Sequence, residues 1–232
     1  MNRITQNPLA LAGLVIIGLI SLMAIFATWI APFDPDAIDV KAILLAPSWE
    51  HIMGTDGLGR DVWSRMLFGA RISLLVGIVA VGISTLIGII LGAIAGYYRG
   101  WVDTVIMRFV DIMLSIPTFF LILAVIAFLT PSIWNIMIVI GLTSWMSVTR
   151  LVRAEFLSLR GREFVLASQT LGAKDGRLIF RHLLPNSLSP IIVSSVLGVA
   201  SAVLVESGLS FLGLGVQAPQ ASWGNILTDG KE

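Results

Sequence analysis

The chain has 232 residues, 56% of them hydrophobic and 12% charged, whereas an ordinary soluble domain carries roughly 25% charged residues. The formal net charge is +1. The absence of cysteine and the presence of only two histidines exclude a disulfide framework, a thiol nucleophile, a zinc finger and a histidine-rich metal cage. The arginines form no basic stripe with interleaved aromatics, so no nucleic-acid partner is expected. Composition therefore predicts a single, all-α domain that spans a membrane.

Membrane spans are predicted where Asp, Glu, Lys, Arg and His are absent over the ~20 residues that a crossing helix needs. The stretch at 112–149 is too long for one crossing, and Thr130-Pro131-Ser132 supplies a turn within it. A membrane helix tolerates Pro117, which can kink it. The first stretch exceeds the apolar region of a signal peptide and is interpreted as an uncleaved helix. The five predicted spans cover residues 9–31, 72–98, 104–129, 133–149 and 183–205.

The orientation follows from where Lys and Arg collect. The connection at 150–182 is rich in arginine and is predicted to be cytoplasmic, whereas the acidic loop at 32–71 is predicted to be extracytoplasmic. Arg3 and Arg99 then fall on the inner side, as a cytoplasmic N-terminus requires. The chain is thus expected in the cytoplasmic membrane, in contact with lipid.

The cytoplasmic connection contains an amphipathic helical pattern. Phe164, Ala167, Ser168 and Leu171 follow the spacing i, i+3, i+4, i+7, and Gly172 stands where a helix end favours the left-handed conformation. A second helical stretch, at about 175–184, is predicted to end against Pro185-Asn186. The pattern fits either a pair of interfacial helices at the headgroups or a docking surface for a soluble partner.

Few charges lie near the spans. Arg108 and Asp111 are one helical turn apart, which allows them to pair as a structural ion pair, although charges at membrane depth are functional candidates. Glu206 stands where the fifth span is predicted to end. A proton relay needs a chain of such groups, and the other spans offer none. This counts against a proton-coupled carrier.

No catalytic motif is found. The glycine run at residues 54–61 has no preceding strand and no following Gly-Lys-Ser/Thr, so it predicts a structured turn and not a P-loop. Any ATP must be hydrolysed by another chain, and no cofactor is expected. His51, Met53 and Asp56 are close in the outer loop, but methionine is a soft ligand and the three are interpreted as incidental and not as a metal site.

Four longer runs resemble a known family, the inner-membrane permease subunits of ABC importers for dipeptides, oligopeptides and nickel. They are GTDGLGRDVWSRMLFGARISL at 54–74, REFVLASQTLGA at 162–173, FRHLLPN at 180–186 and ESGLSFLGLGVQAPQASWGN at 206–225. The family's cytoplasmic EAA loop maps onto Ala167, Ser168, Gly172 and the ending Leu184-Pro185. Leu166 stands in place of the loop's acid, with Glu163 one turn earlier, and His182 takes a hydrophobic position.

The resemblance implies a fold like that of type I ABC importer permeases and favours docking over the interfacial interpretation. It also implies the partners: a homologous second permease, two ATP-binding subunits and an extracytoplasmic binding protein. Similar permeases continue past Trp223-Gly224-Asn225 into a last helix, so a sixth span is expected but missing, and the chain is expected to be a fragment or an incomplete gene product. Peptide is preferred to nickel as the substrate. A membrane scaffold and a secondary carrier remain the alternatives from other classes.

Overall fold

The computed structural model describes residues 8–230, so Arg3 lies outside the described residues. Over this range the structure is helical, and its one β-type pairing is an isolated bridge between Thr55 and Asp61. The helices are α1 (Pro8–Ile25), α2 (Ala27–Ile30), α3 (Val62–Tyr98), α4 (Gly100–Leu114), α5 (Thr118–Ile126), α6 (Ile133–Thr143), α7 (Trp145–Arg160), α8 (Glu163–Thr170), α9 (Asp175–Arg177), a π-helical turn (Leu178–Leu183), α10 (Leu184–Phe211) and α11 (Trp223–Asp229).

Four helical stretches are long and apolar enough to cross a membrane: Pro8–Ile25, Val62–Tyr98, Ile133–Arg160 and Asp175–Phe211. A fifth crossing is possible if α4 and α5, which are bent by 79° relative to each other, form one span. The bend falls at Ser115–Pro117, inside the predicted span 104–129. Pro117 has no N–H to continue the helical ladder, which explains why the helix breaks there.

The long helices extend beyond the charge-free stretches that predicted them. Helix α3 begins at Val62 and not at residue 72. It can include Arg71 because the guanidinium of Arg71 donates to the carbonyl oxygens of Ala24 and Ile25 in α1, at 3.1 and 2.7 Å. Helix α10 continues through Glu206 to Phe211. Counting charges stops a span too early wherever such a partner is available.

The second helical stretch of the connection, at about 175–184, is predicted to end against Pro185, and the structure differs there. The chain passes through the π-helical turn directly into α10, with Pro185 in its first turn. Pro185 lacks the N–H that would serve a carbonyl one turn back. The Asn186 side chain adds a bond in the same turn by donating from Nδ2 to the carbonyl oxygen of His182 at 2.6 Å.

The described residues group into two compact units. The first unit includes residues 8–76, 131–133 and 203–230 of the described chain. In it, the glycine run forms a turn in which Gly54 and Gly59 have positive φ and the Asp56 carboxylate accepts from the N–H groups of Leu58 and Arg60. Helix α11 is anchored by a capping box between Ser222 and Asn225.

The second unit includes residues 77–130 and 134–202. Its centre is a close contact between α3 and α7, in which Gly88, Gly92 and Gly96 of α3 lie against the backbone and Cβ atoms of α7. Small residues at this spacing let two helices approach closely in a membrane. The contact continues into a buried apolar cluster that contains Val152 and Phe156 of α7.

Candidate coupling surface

The candidate site is the connecting segment, residues 161–183, between α7 and α10. One side of this segment is anchored in the second unit: Val165, Leu178 and Leu183 are at most 1% exposed and pack in the cluster around Phe156. Burying aliphatic side chains of this size contributes about 1.5–3 kcal/mol each. The segment therefore has a fixed position on the helices beneath it.

The other side of the connecting segment presents apolar groups outward. Leu171 is 89% exposed and Phe180 is 71% exposed, and Phe164 and Leu166 are close to half exposed. Of the predicted surface, Phe164, Ala167 and Leu171 are outward, whereas Ser168 is partly buried and its Oγ lies 3.3 Å from Nε2 of His182. Large apolar side chains held outward by a fixed scaffold indicate an interaction surface.

Gly172 ends helix α8 in the left-handed conformation, with φ +79°, as the sequence predicts. The N–H of Gly172 donates to the carbonyl oxygen of Gln169 at 2.9 Å, and the N–H of Ala173 donates to that of Ser168 at 3.1 Å. This pair of bonds is a Schellman motif, which satisfies the last carbonyls of a helix and requires positive φ at its glycine position. Gly172 thus sets the direction in which the chain leaves α8.

Basic side chains surround the outward apolar groups. Glu163 is exposed at the start of α8, where a carboxylate suits the positive end of the helix. The exposed cations of the segment are Arg162, Lys174, Arg177 and Arg181. Together with Glu163 and Asp175 they leave the connecting segment with a positive balance, which favours a partner with an acidic rim.

The predicted pair Arg108 and Asp111 does not form. Asp111 instead accepts from Nη2 of Arg150 on α7 at 2.5 Å, with both side chains about half exposed. One turn of α4 separates Arg108 from Asp111, but α7 packs alongside α4 and brings Arg150 closer. A second ion pair joins the same helices: Arg153 donates from Nε and Nη2 to both carboxylate oxygens of Asp103, at 2.5 and 2.6 Å.

Tyr97, in the last turn of α3, touches both ends of the stretch that contains α8. Its backbone carbonyl accepts from Nη1 of Arg160 at 2.5 Å, and the Arg160 guanidinium lies 5.4 Å from the centre of its ring. Its hydroxyl donates to Oδ1 of Asp175 at 2.7 Å. Sequence reasoning missed the role of Tyr97 and Arg160, because no local spacing relates α3 to partners 63 and 78 residues later. It also missed Val165 and Phe180, which lie outside the predicted face of α8.

Two other groups considered in the sequence, Glu206 and His51, lie in the first unit and contact neighbouring side chains there. Glu206 is fully buried, and its Oε1 accepts from the hydroxyls of Ser210 and Ser222 at 2.7 and 2.9 Å. His51 contacts Asp61 through Nδ1 at 2.9 Å and stacks on Phe33. Within residues 8–230 no group of three or more His, Cys, Asp or Glu side chains is arranged to hold a metal ion.

The membrane-spanning helices define a polytopic membrane protein. Comparison with known families gives the assignment. Residues 88–231 match the family described as binding-protein-dependent transport system inner membrane component, and residues 1–47 match the N-terminal TM domain of oligopeptide transport permease C. The chain belongs to the binding-protein-dependent transport permease family, whose members are membrane components of importers and not enzymes.

Similar curated proteins cover nearly all of the chain. The dipeptide transport system permease protein of Alkalihalophilus pseudofirmus is 44% identical over 231 residues, which are 100% of this chain and 76% of that protein. The oligopeptide transport system permease protein of Bacillus subtilis is 43% identical over 230 residues, 99% of this chain and 75% of that protein. The dipeptide transport system permease protein of Bacillus subtilis is 41% identical over 229 residues, 99% and 72% respectively.

Proposed function

We propose that this chain is the translocation subunit of an ATP-driven peptide importer and that its connecting segment binds an ATPase subunit. The observation that carries the proposal is the two-sided connecting segment: Val165 and Leu178 are buried, whereas Leu171 and Phe180 are exposed. Burial of an exposed Leu or Phe in a partner's cleft contributes about 1.5–3 kcal/mol. Several such residues suffice to hold a soluble subunit against the membrane.

The substrate part of the proposal rests on the relatives. Proteins at 41–44% identity are named for dipeptide and oligopeptide transport, which supports peptide over nickel. The further partners proposed are a homologous second permease, a second ATPase subunit and an extracytoplasmic binding protein. The proposed orientation has a cytoplasmic N-terminus and connecting segment and an extracytoplasmic loop, predicted over residues 32–71, whose last residues form the start of α3.

The test is recovery of the ATPase subunit with the tagged permease in detergent. We expect Leu171→Ala combined with Phe180→Ala to lower recovery about ten-fold or more, because each residue contributes at least about 1.5 kcal/mol if buried. Leu227→Ala is the matched control, since Leu227 is 71% exposed but lies on α11. Unchanged recovery in the double variant would mean that the segment is an interfacial helix pair.

Transport is tested in proteoliposomes that contain the assembled complex. We expect uptake of a labelled dipeptide that requires ATP and the binding protein, with no uptake of radioactive nickel. Uptake driven by an ion gradient without ATP would indicate a secondary carrier. Failure to transport any solute while the subunits still assemble would favour a scaffold.

A further inference from the structure

The stretch 161–174, which contains α8, is held at both ends by one residue of another membrane helix. Arg160, immediately before this stretch, donates to the Tyr97 carbonyl and covers its ring. Asp175, immediately after it, accepts from the Tyr97 hydroxyl at 2.7 Å. The two contacts close a loop whose base is the last turn of α3.

Tyr97 is a rigid base for this loop. The residue is only 5% exposed and packs in the buried cluster with Val152 and Phe156, and its ring meets Tyr98 edge-on at 5.1 Å. One residue before it, Gly96 lies against Arg153 and Phe156 of α7. The hydroxyl therefore cannot follow Asp175 by a side-chain rotation alone, and a displacement of the segment must either break the bond or move α3.

We propose that the Tyr97–Asp175 hydrogen bond transmits displacement of the connecting segment to α3, so that Tyr97 is a positioning residue for transport. This inference rests on the proposed function, in which the ATPase moves the segment. Arg160 fixes the entry to α8, and the Tyr97–Asp175 bond fixes its exit. With both ends fixed, α8 and the inner end of α3 move as one body, and the motion reaches a helix of 37 residues.

The role of this bond can be tested on its own, because removing the bond leaves its surroundings in place. Tyr97→Phe keeps the buried ring, the contact with Arg160 and the backbone carbonyl, and removes a single hydroxyl. Tyr98→Phe is the matched control: Tyr98 is the next residue and is 53% exposed, and among residues 8–230 its hydroxyl has no hydrogen-bond partner. Asp175→Asn keeps an acceptor oxygen, whereas Asp175→Ala removes it.

The first experiment compares ATP hydrolysis with uptake in the complete complex in proteoliposomes, with a labelled dipeptide as the probe. We expect Tyr97→Phe and Asp175→Ala each to lower the ratio of uptake to hydrolysis about five-fold, the equilibrium effect of losing one ordinary hydrogen bond. The double variant should be no worse than either single variant. Tyr98→Phe and Asp175→Asn should stay near the parent ratio, and ATPase recovery should be unchanged in Tyr97→Phe and in Tyr98→Phe, since both residues lie outside the connecting segment.

The second experiment measures motion directly and needs no substrate. The chain has no cysteine, so spin labels placed by Thr170→Cys, on the exposed end of α8, and Ile90→Cys, at an exposed position of α3, give one distance. We expect this distance to stay constant in the parent complex when a non-hydrolysable ATP analogue is added, and to change in Tyr97→Phe. Tyr98→Phe should behave like the parent.

The outcomes separate the two levels of the argument. If the parent chain recovers no ATPase subunit, the proposed function fails and this inference fails with it. If the ATPase binds and Tyr97→Phe shows the parent ratio and the parent distance, the inference alone is overturned. Loss of ATPase recovery in Tyr97→Phe would also overturn it, because the bond would then support the docking surface and not transmission.

Discussion

Gly92 lies so close to Thr149 that a Cβ atom on Gly92 would come within 2.6 Å of the Thr149 carbonyl oxygen and 2.7 Å of the Val152 Cβ. Both obstacles belong to the body of α7 and not to the far end of a flexible side chain. Gly88 and Gly96 make equally close approaches one turn to either side. The three glycines therefore determine how α3 packs on α7, and with it the position of Tyr97 and the connecting segment.

The first prediction tests this contact with a pair of substitutions on one helix. Gly92→Ala should destabilise the chain by about 1–3 kcal/mol because the added methyl group overpacks the interface. Gly82→Ala should be neutral or stabilise it by roughly 0.5–1 kcal/mol, since a Cβ there meets nothing within 4 Å and alanine is the better helix former. Unfolding in detergent, followed by circular dichroism, measures both. Equal effects at the two positions would contradict the helix contact.

Sequence reasoning succeeded where the signal is local. The apolar stretches predicted membrane helices, and the glycine after Leu171 predicted a left-handed helix end, which the structure shows at Gly172. It also related the chain to its family through long runs such as REFVLASQTLGA. These features depend on neighbours within a few turns of one helix, which a single sequence contains.

Contacts between distant helices could not be predicted in the same way. Asp111 pairs with Arg150, and nothing in the spacing of α4 favours that partner over Arg108. The predicted limit of the second span at residue 72 was drawn at Arg71, whose guanidinium is satisfied by carbonyl oxygens of α1. Tyr97 shows no local signal for a bond to Asp175. In each case the decisive partner comes from another element of the fold.

The second prediction concerns the end of α8. Gly172→Val should strain the backbone by about 1–3 kcal/mol, because φ +79° is unfavourable for a β-branched residue. We expect normal membrane insertion, lower ATPase recovery and loss of ATP-driven uptake. Gly172→Asn is the control, since asparagine tolerates this conformation and a Cβ at this position has open space. If valine and asparagine behave alike, the backbone direction at Gly172 is not what matters.

A third prediction concerns the attachment of α11 in the first unit. The Asp229 carboxylate accepts from Nη2 of Arg60 and Nη2 of Arg65, at 2.9 and 3.0 Å, and Arg65 is only 2% exposed. Hydrogen bonds to charged groups contribute about 1.5–3 kcal/mol. Asp229→Asn should therefore speed hydrogen exchange of the α11 amides about ten-fold or more.

The control for this experiment is Asp39→Asn, the same chemical change in an exposed turn. The Asp39 carboxylate accepts from the N–H of Lys41 at 2.9 Å, a bond within its own turn. Exchange in α11 should be unaffected. Comparable acceleration by both variants would indicate a general effect of removing negative charge from the first unit and would contradict a specific role of Asp229.

The last prediction tests the orientation of the chain in the membrane. Because the native chain has no cysteine, single cysteines report their own accessibility to an impermeant thiol reagent. Trp49 serves as the outer position, since it lies in the loop predicted to be extracytoplasmic and its side chain is fully exposed. Lys174 is exposed on the connecting segment and serves as the inner position. The positive balance of that segment predicts that it stays in the cytoplasm. We therefore expect Trp49→Cys to react in intact cells and Lys174→Cys to react only after the membrane is made permeable. The opposite pattern would reverse the topology and place the connecting segment out of reach of any cytoplasmic ATPase.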